Sequence, residues 1–284
     1  MSGILKRSVL AACLFILMNS SVMAQAKEAG SGDQGDLASA ATNPVSNLIQ
    51  FRLQDLYTSS NYNVDGYSNT SFVQAVVPLS GLADKFDSLK GIVTRTTIGY
   101  VSTPDFDGIG RQNGLGDTSI LAFAVPKAAP EKTVWGVGPA LTLPTAGDNE
   151  YTGSGYYQAG PAAVFMVSPT NSIQWGALVF HQEDIGNTGR DNRVDDVSTT
   201  FIQPIFNYHF DEGWYVGLPD TPQAYDHEEN QWTYNIGGVL GRVTKVGGRP
   251  MQIFGGVYYN PEEPDDAPAP EWSVKLQVGW LFPQ

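Results

Sequence analysis

The chain has 284 residues, a formal net charge of −13 at pH 7 and a single cysteine. Charge of that sign repels phosphate backbones and excludes nucleic acid as a partner. One cysteine cannot form an internal disulfide, and Cys13 lies in a segment expected to be removed, so thiol chemistry and cysteine-ligated metals are excluded with it.

Lys6 and Arg7 precede an apolar run from Val9 to Met18, and Val22-Met23-Ala24 places small or apolar residues at −3 and −1 before Gln25. This pattern predicts a secretory signal peptide over residues 1–24. The run is shorter than the roughly 20 residues a membrane helix needs, and no later run reaches that length, so any membrane passage must be made by strands. Leu10-Ala11-Ala12-Cys13 offers a competing lipoprotein reading, but cleavage before Cys13 would leave only Ser8 to Ala12 as the apolar segment. Loss of Lys6 and Arg7 takes the net charge from −13 to −15. Gln25 to Thr42 is rich in Gly, Ser, Ala and Asp without periodicity, and residues 25–46 are expected to form a flexible periplasmic leader.

From residue 47 to 284 the chain is a series of short alternating apolar runs bounded by turn residues, at 48–56, 72–79, 91–101, 115–125, 134–143, 157–167, 173–182, 199–210, 214–218, 231–243, 251–259 and 272–282. Most match the roughly 9–11 residues of a tilted transmembrane strand. Twelve is an even number, as single-chain bacterial outer-membrane barrels require. With both termini in the periplasm, connections should alternate long outside and short inside. Those expected outside, at 57–71, 102–114, 144–156, 183–198, 219–230 and 260–271, are longer nearly throughout than 168–172, 211–213 and 244–250 inside. The expected fold is therefore all-β, an antiparallel transmembrane barrel of about twelve strands in the bacterial outer membrane.

Alternation within the runs assigns faces. Val274, Leu276, Val278, Trp280 and Phe282 oppose Ser273, Lys275, Gln277 and Gly279; Ile49, Phe51 and Leu53 oppose Gln50, Arg52 and Gln54. In a barrel the apolar set faces lipid, in a soluble sandwich it faces the core, and periodicity alone does not separate the two. Tyr57, Tyr100, Tyr156, Tyr157, Trp214, Trp232, Tyr258, Trp272 and Trp280 near strand ends are expected to form interfacial girdles. Lumen parity falls to Arg52, Arg95, His209 and Lys275, with Asp117 near a strand start; structural salt bridging and solute selectivity are both open roles for them.

Chemistry is sparse. His181, His209 and His227 are isolated, too few and too scattered to suggest a metal site. No Gly-x-Ser-x-Gly motif occurs on a strand-to-helix pattern, so no catalytic residue is assigned and no enzyme is expected. Gly114-Leu115-Gly116 lacks a following helix, which excludes a dinucleotide site, and no cofactor is expected. More than half of the 29 acidic residues lie in the outer connections, with Glu262, Glu263, Asp265 and Asp266 the densest group. A hydrated surface, divalent-cation bridging to lipopolysaccharide and steering of cations are the readings these carboxylates allow. Asp191-Asn192-Arg193-Val194-Asp195-Asp196 lacks the spacing and glycine of a calcium loop.

Several motifs, in order along nearly the whole of residues 43–283, carry a family likeness. These are Asn43-Pro44-Val45, Gly114-Leu115-Gly116-Asp117-Thr118, Trp135-Gly136-Val137-Gly138-Pro139, Leu143-Pro144-Thr145, Gly160-Pro161, Trp175-Gly176-Ala177-Leu178, Thr200-Phe201-Ile202-Gln203-Pro204, Gln231-Trp232, Val243-Thr244-Lys245 and Leu276-Gln277-Val278 with Leu281-Phe282-Pro283. With them the chain resembles the outer-membrane transporters grouped under the meta-pathway of phenol degradation, some of which carry the misleading label neuromedin U. The resemblance implies a barrel channel for small aromatic or hydrophobic solutes, and it brings no catalytic or ligand residues. Outer-membrane lipid, lipopolysaccharide and the barrel assembly machinery are the expected partners beside the solute. The chain departs from usual barrels in ending Phe282-Pro283-Gln284 rather than on an aromatic residue. The alternatives are an adhesive or structural barrel acting through its acidic loops, and an outer-membrane lipid hydrolase using His209.

Overall fold

A computed structural model describes residues 34–83, 85–105, 108–146, 151–189, 196–264 and 268–283. The expected signal peptide, the first part of the leader, residues 191–195 of the acidic run and Asp265-Asp266 lie outside the described residues. The strands are β1 (Leu48–Tyr62), β2 (Ser68–Pro78), β3 (Leu89–Asp105), β4 (Arg111–Pro126), β5 (Thr133–Leu143), β6 (Tyr156–Val167), β7 (Ile173–Asn187), β8 (Ser198–His209), β9 (Trp214–Gly217), β10 (Gln223–Asp226), β11 (Gln231–Thr233), β12 (Ile236–Val246), β13 (Arg249–Tyr259) and β14 (Ala269–Pro283). A helix α1 (Gln34–Thr42) precedes them, and a short α2 (Ser80–Ala83) lies between β2 and β3.

Every pairing is antiparallel, mostly between chain neighbours, and β14 pairs with β1 from Leu48↔Pro283 to Tyr62↔Ala269, which joins the last stave to the first. Closure elsewhere depends on three short strands, β9, β10 and β11, and on β12. β9 and β10 lie in line against β8, at Asn207↔Gly217 and Gln223↔Ile202. β11 and β12 lie in line against those two, at Ala224↔Thr233 and Val239↔Gly217. Counted this way the wall has twelve staves, two of them broken. The break falls at Leu218–Pro222, where Pro219 and Pro222 have no N–H to give to a ladder. Full closure removes the exposed edges that an open sheet of this size would present.

The periodicity that leaves lipid and core undecided is settled by which face the ring encloses. Gln50, Gln252, Gln277 and Lys275 are buried, while Leu276 is 60% exposed and Leu240 54%. A soluble protein hides its leucines and shows its glutamines; here the arrangement is reversed, as lipid outside and a polar lumen inside demand. Most of the expected girdle residues are exposed, including Tyr57, Tyr100, Tyr157, Trp214 and Trp272. Tyr156 and Tyr258 are not: both are buried, and Tyr258 points to the lumen side, where its hydroxyl meets Asp220.

Several strands run further than their apolar alternation, because β pairing continues into polar sequence such as Thr58-Ser59-Ser60-Asn61-Tyr62. That shortens the expected outer connections at 63–67 and 106–110 until they are no longer than the 79–88 connection at the opposite end. The long–short contrast survives at 144–155 and 188–197 against 168–172 and 247–248.

The leader is not structureless where it is described. Residues 34–42 form α1, seated in the end of the barrel where Leu48 pairs with Pro283. Ala38 and Ala41 are fully buried against Leu48, Val243 and Leu281. Small side chains along this helix let it fit within the ring, and the composition that reads as flexible in isolation gains its helix from that packing. Above it, β2 to β8 contribute an inward apolar patch that includes Leu121, Phe123, Met166, Leu178 and Phe180.

Candidate permeation lumen

The interior between α1 and the opposite mouth holds a cavity of about 490 Å³ lined by residues of most staves. Arg52 enters it from β1, Arg95 from β3, Lys275 from β14 and Asp117 from β4, each placed by the period-two alternation of its strand. The partner of Lys275 is one that lumen parity does not reveal. Asp220, counted with the outer-loop carboxylates, lies in the break between β9 and β10 and folds inward to the cavity. Lys275 Nζ donates to Asp220 Oδ1 at 3.0 Å and Oδ2 at 3.1 Å, and the Tyr258 hydroxyl donates to Oδ1 at 2.8 Å. The Pro219-Asp220-Thr221-Pro222 spacing is the available signal, since two prolines so close cannot stay in a central strand.

A glutamine lattice supports the same wall. Gln277 Nε2 donates to Gln252 Oε1 at 2.8 Å, and Gln252 Nε2 donates to the Tyr215 hydroxyl at 2.9 Å. Gly241 makes room for that tyrosine: a Cβ there would sit 2.3 Å from Tyr215 Cζ. Arg52 is held by neutral acceptors, Gln50 Oε1, Gln74 Oε1 at 3.0 Å and the Ala41 carbonyl of α1 at 3.0 Å. Arg95 makes no hydrogen bond or ion pair among the described residues, and its side chain lines the cavity beside these groups.

Asp117 lines the cavity nearer the other mouth, where its carboxylate accepts from Ser154 N at 2.8 Å, Ser154 Oγ at 3.0 Å and Ala146 N at 3.2 Å. It fastens the β5–β6 connection to β4. His209 is buried against α1: its Nε2 is 3.1 Å from Gln174 Oε1 and 3.4 Å from Thr42 Oγ1, with no carboxylate in hydrogen-bond reach among the described residues. Gln174 Nε2 in turn donates to Ser39 Oγ at 2.7 Å and the Ser39 carbonyl at 3.1 Å, so the two side chains anchor the helix. His181 and His227 sit together rather than apart. His181 Nδ1 is 2.9 Å and His227 Nε2 2.8 Å from Thr200 Oγ1, and His181 Nε2 is 3.1 Å from Glu183. Among the described residues no group of three metal-ligating side chains could hold a metal ion.

No family model matches the chain, and no curated protein matches it by sequence. Solved structures do resemble it. An outer membrane channel from Pseudomonas putida F1 superposes with a TM-score of 0.61 at 15% identity, covering 83% of this chain and 94% of that one. Outer membrane phospholipase A from Escherichia coli gives a TM-score of 0.42 at 11% identity, over 87% of this chain and 97% of that one. A TodX monoaromatic hydrocarbon channel mutant gives 0.37 at 10% identity, over 84% and 90%. Only the first of these carries an argument, and at its level of identity it shows the fold: this chain has the fold of an outer-membrane β-barrel.

Proposed function

We propose that the protein is a passive outer-membrane channel for small aromatic or hydrophobic solutes, with the lumen as the pathway. The observation that carries this reading is the inverted arrangement of faces around an internal cavity: apolar side chains outside, and inside a wall part glutamine and arginine, part phenylalanine and branched aliphatic. Pockets that take small organic molecules combine such apolar surface with a few placed polar groups. The likeness of its motifs to the meta-pathway transporter family supports an aromatic solute, and the membrane setting implies contact with lipopolysaccharide and delivery by the barrel assembly machinery. Two measurements test it. Protein from isolated outer membranes should migrate differently unboiled and boiled in detergent, and the purified folded form should give discrete conductance steps in a planar bilayer. A soluble, unshifted protein would overturn the membrane reading, and a shifted protein without conductance or solute uptake would overturn the channel.

A second reading, lipid hydrolysis, has one observation in its favour. Thr200, His181 and Glu183 form a hydroxyl–imidazole–carboxylate chain, with His181 flanked by both partners within 3.1 Å. An activated hydroxyl needs such a base and orienting group. Release of fatty acid by the pure protein, abolished by Thr200→Val, would support it; no hydrolysis by the wild type would end it.

A further inference from the structure

The charges facing the cavity do not cancel. Asp220 is saturated by Lys275 and Tyr258, and Asp117 by the backbone N–H groups and hydroxyl that hold it. Arg52 is oriented by a glutamine pair and a carbonyl, which satisfy its N–H groups without neutralising its charge. Arg95 has no such partner among the described residues and opens on the cavity. Asp117 keeps its charge in the same way as Arg52, so the five ionic groups facing the cavity sum to one net positive charge. Among the described residues neither guanidinium has a carboxylate in hydrogen-bond reach, in a confined space where unpaired charge is costly. Apolar side chains line the rest of the cavity: Phe72 and Val76 on β2, between the two arginine strands, and Ile205 with Phe180 and Phe201, whose rings stack at 4.5 Å between centroids.

We propose that this cavity is a binding site for aromatic monocarboxylates, with Arg95 taking the carboxylate beside Arg52 and the Phe180–Phe201 wall taking the ring. The inference rests on the channel reading and narrows its solute from hydrophobic molecules in general to amphipathic organic anions. A guanidinium fork matches a carboxylate through two parallel N–H···O bonds, a geometry that a point cation does not supply. The fixed Arg52 adds attraction without competing for the same oxygens, because its own N–H groups are already directed to Gln50, Gln74 and Ala41. The ring wall discriminates against inorganic anions of the same charge, which gain nothing from apolar contact. Selectivity so built belongs to the lumen alone, since the outer connections carry the opposite sign.

Benzoate is the probe, with benzyl alcohol and inorganic phosphate as its uncharged and ringless counterparts. Calorimetry on the folded, detergent-solubilised full-length protein should show benzoate binding, weaker binding of the other two, and a loss of about tenfold or more in benzoate affinity in Arg95→Gln. Arg95→Lys should recover the charge preference in part. In a bilayer under a KCl gradient the wild type should show a reversal potential of anion-selective sign, and Arg95→Gln should move it toward zero. No benzoate binding, binding unchanged in Arg95→Gln, or phosphate bound as well as benzoate would each overturn the proposal. Benzoate binding without any conductance would leave the site standing and remove the channel instead. Because Arg95 makes no hydrogen bond or ion pair among the described residues, the variant should keep the wild-type heat shift, which verifies that it folds.

Discussion

At the scale of single residues, the decisive fact is which side chains are exposed. Leu276, at 60% exposure, would tolerate a charge on a soluble protein's surface, where substitutions commonly stay within about 0.5 kcal/mol. On the lipid face of a barrel Leu276→Arg should cost about 2–4 kcal/mol, read as a lower urea midpoint in vesicles. The Asp220–Lys275 pair is a second test. Asp220→Asn leaves a buried ammonium without its partner and should cost about 3–5 kcal/mol, whereas replacing both residues with apolar ones of similar volume should restore most of it. Gly241→Val should displace Tyr215, break its bond to Gln252 and lower the temperature at which the folded band disappears. The side chains of Arg52, Arg95 and Lys275 can be placed from strand parity alone, because a period of two leaves one choice per residue. Asp220 cannot: parity says nothing about a residue in a broken strand, and its neighbours Asp226, Glu228 and Glu229 make it look like one more loop carboxylate.

At the scale of elements, α1 is the part whose composition is least informative. Its alanines and serines carry little hydrophobic pattern, and a helix of this length is marginal by itself. What orders it is the ring around it: Arg52 donating to its Ala41 carbonyl, Gln174 gripping Ser39, and Leu48, Val243 and Leu281 closing on Ala38 and Ala41. None of those contacts is local in sequence, so none is legible there. Removal of residues 25–42 should leave the barrel folded by heat shift and raise single-channel conductance, since the helix sits across one end of the passage. A conductance equal to the wild type would show that the solute path avoids that end. The staves were readable for the opposite reason: β-branched and aromatic residues at period two with turn residues between them need no distant partner to be recognised. Their ends were not, because pairing with a neighbour carries polar sequence into the strand.

At the scale of the whole molecule, sequence and structure agree on an even ring of antiparallel staves with polar residues within. The charge distribution is layered: acidic connections at the outer mouth, and a lumen whose ionic groups sum to a net positive charge. Added salt should therefore act on the two layers in opposite directions, screening the outer repulsion of an anion and the inner attraction alike. The interruption at Leu218–Pro222 has a separate consequence, mechanical rather than electrostatic. A hydrogen-bonded hoop shares strain equally around its circumference, and a hoop with one discontinuous joint does not. Thermal opening should begin at that joint, so the amides of Asp220 and Thr221 should exchange with deuterium well before those of β13 and β14. The barrel would then loosen along one line, and the residue released there first would be the carboxylate that neutralises Lys275.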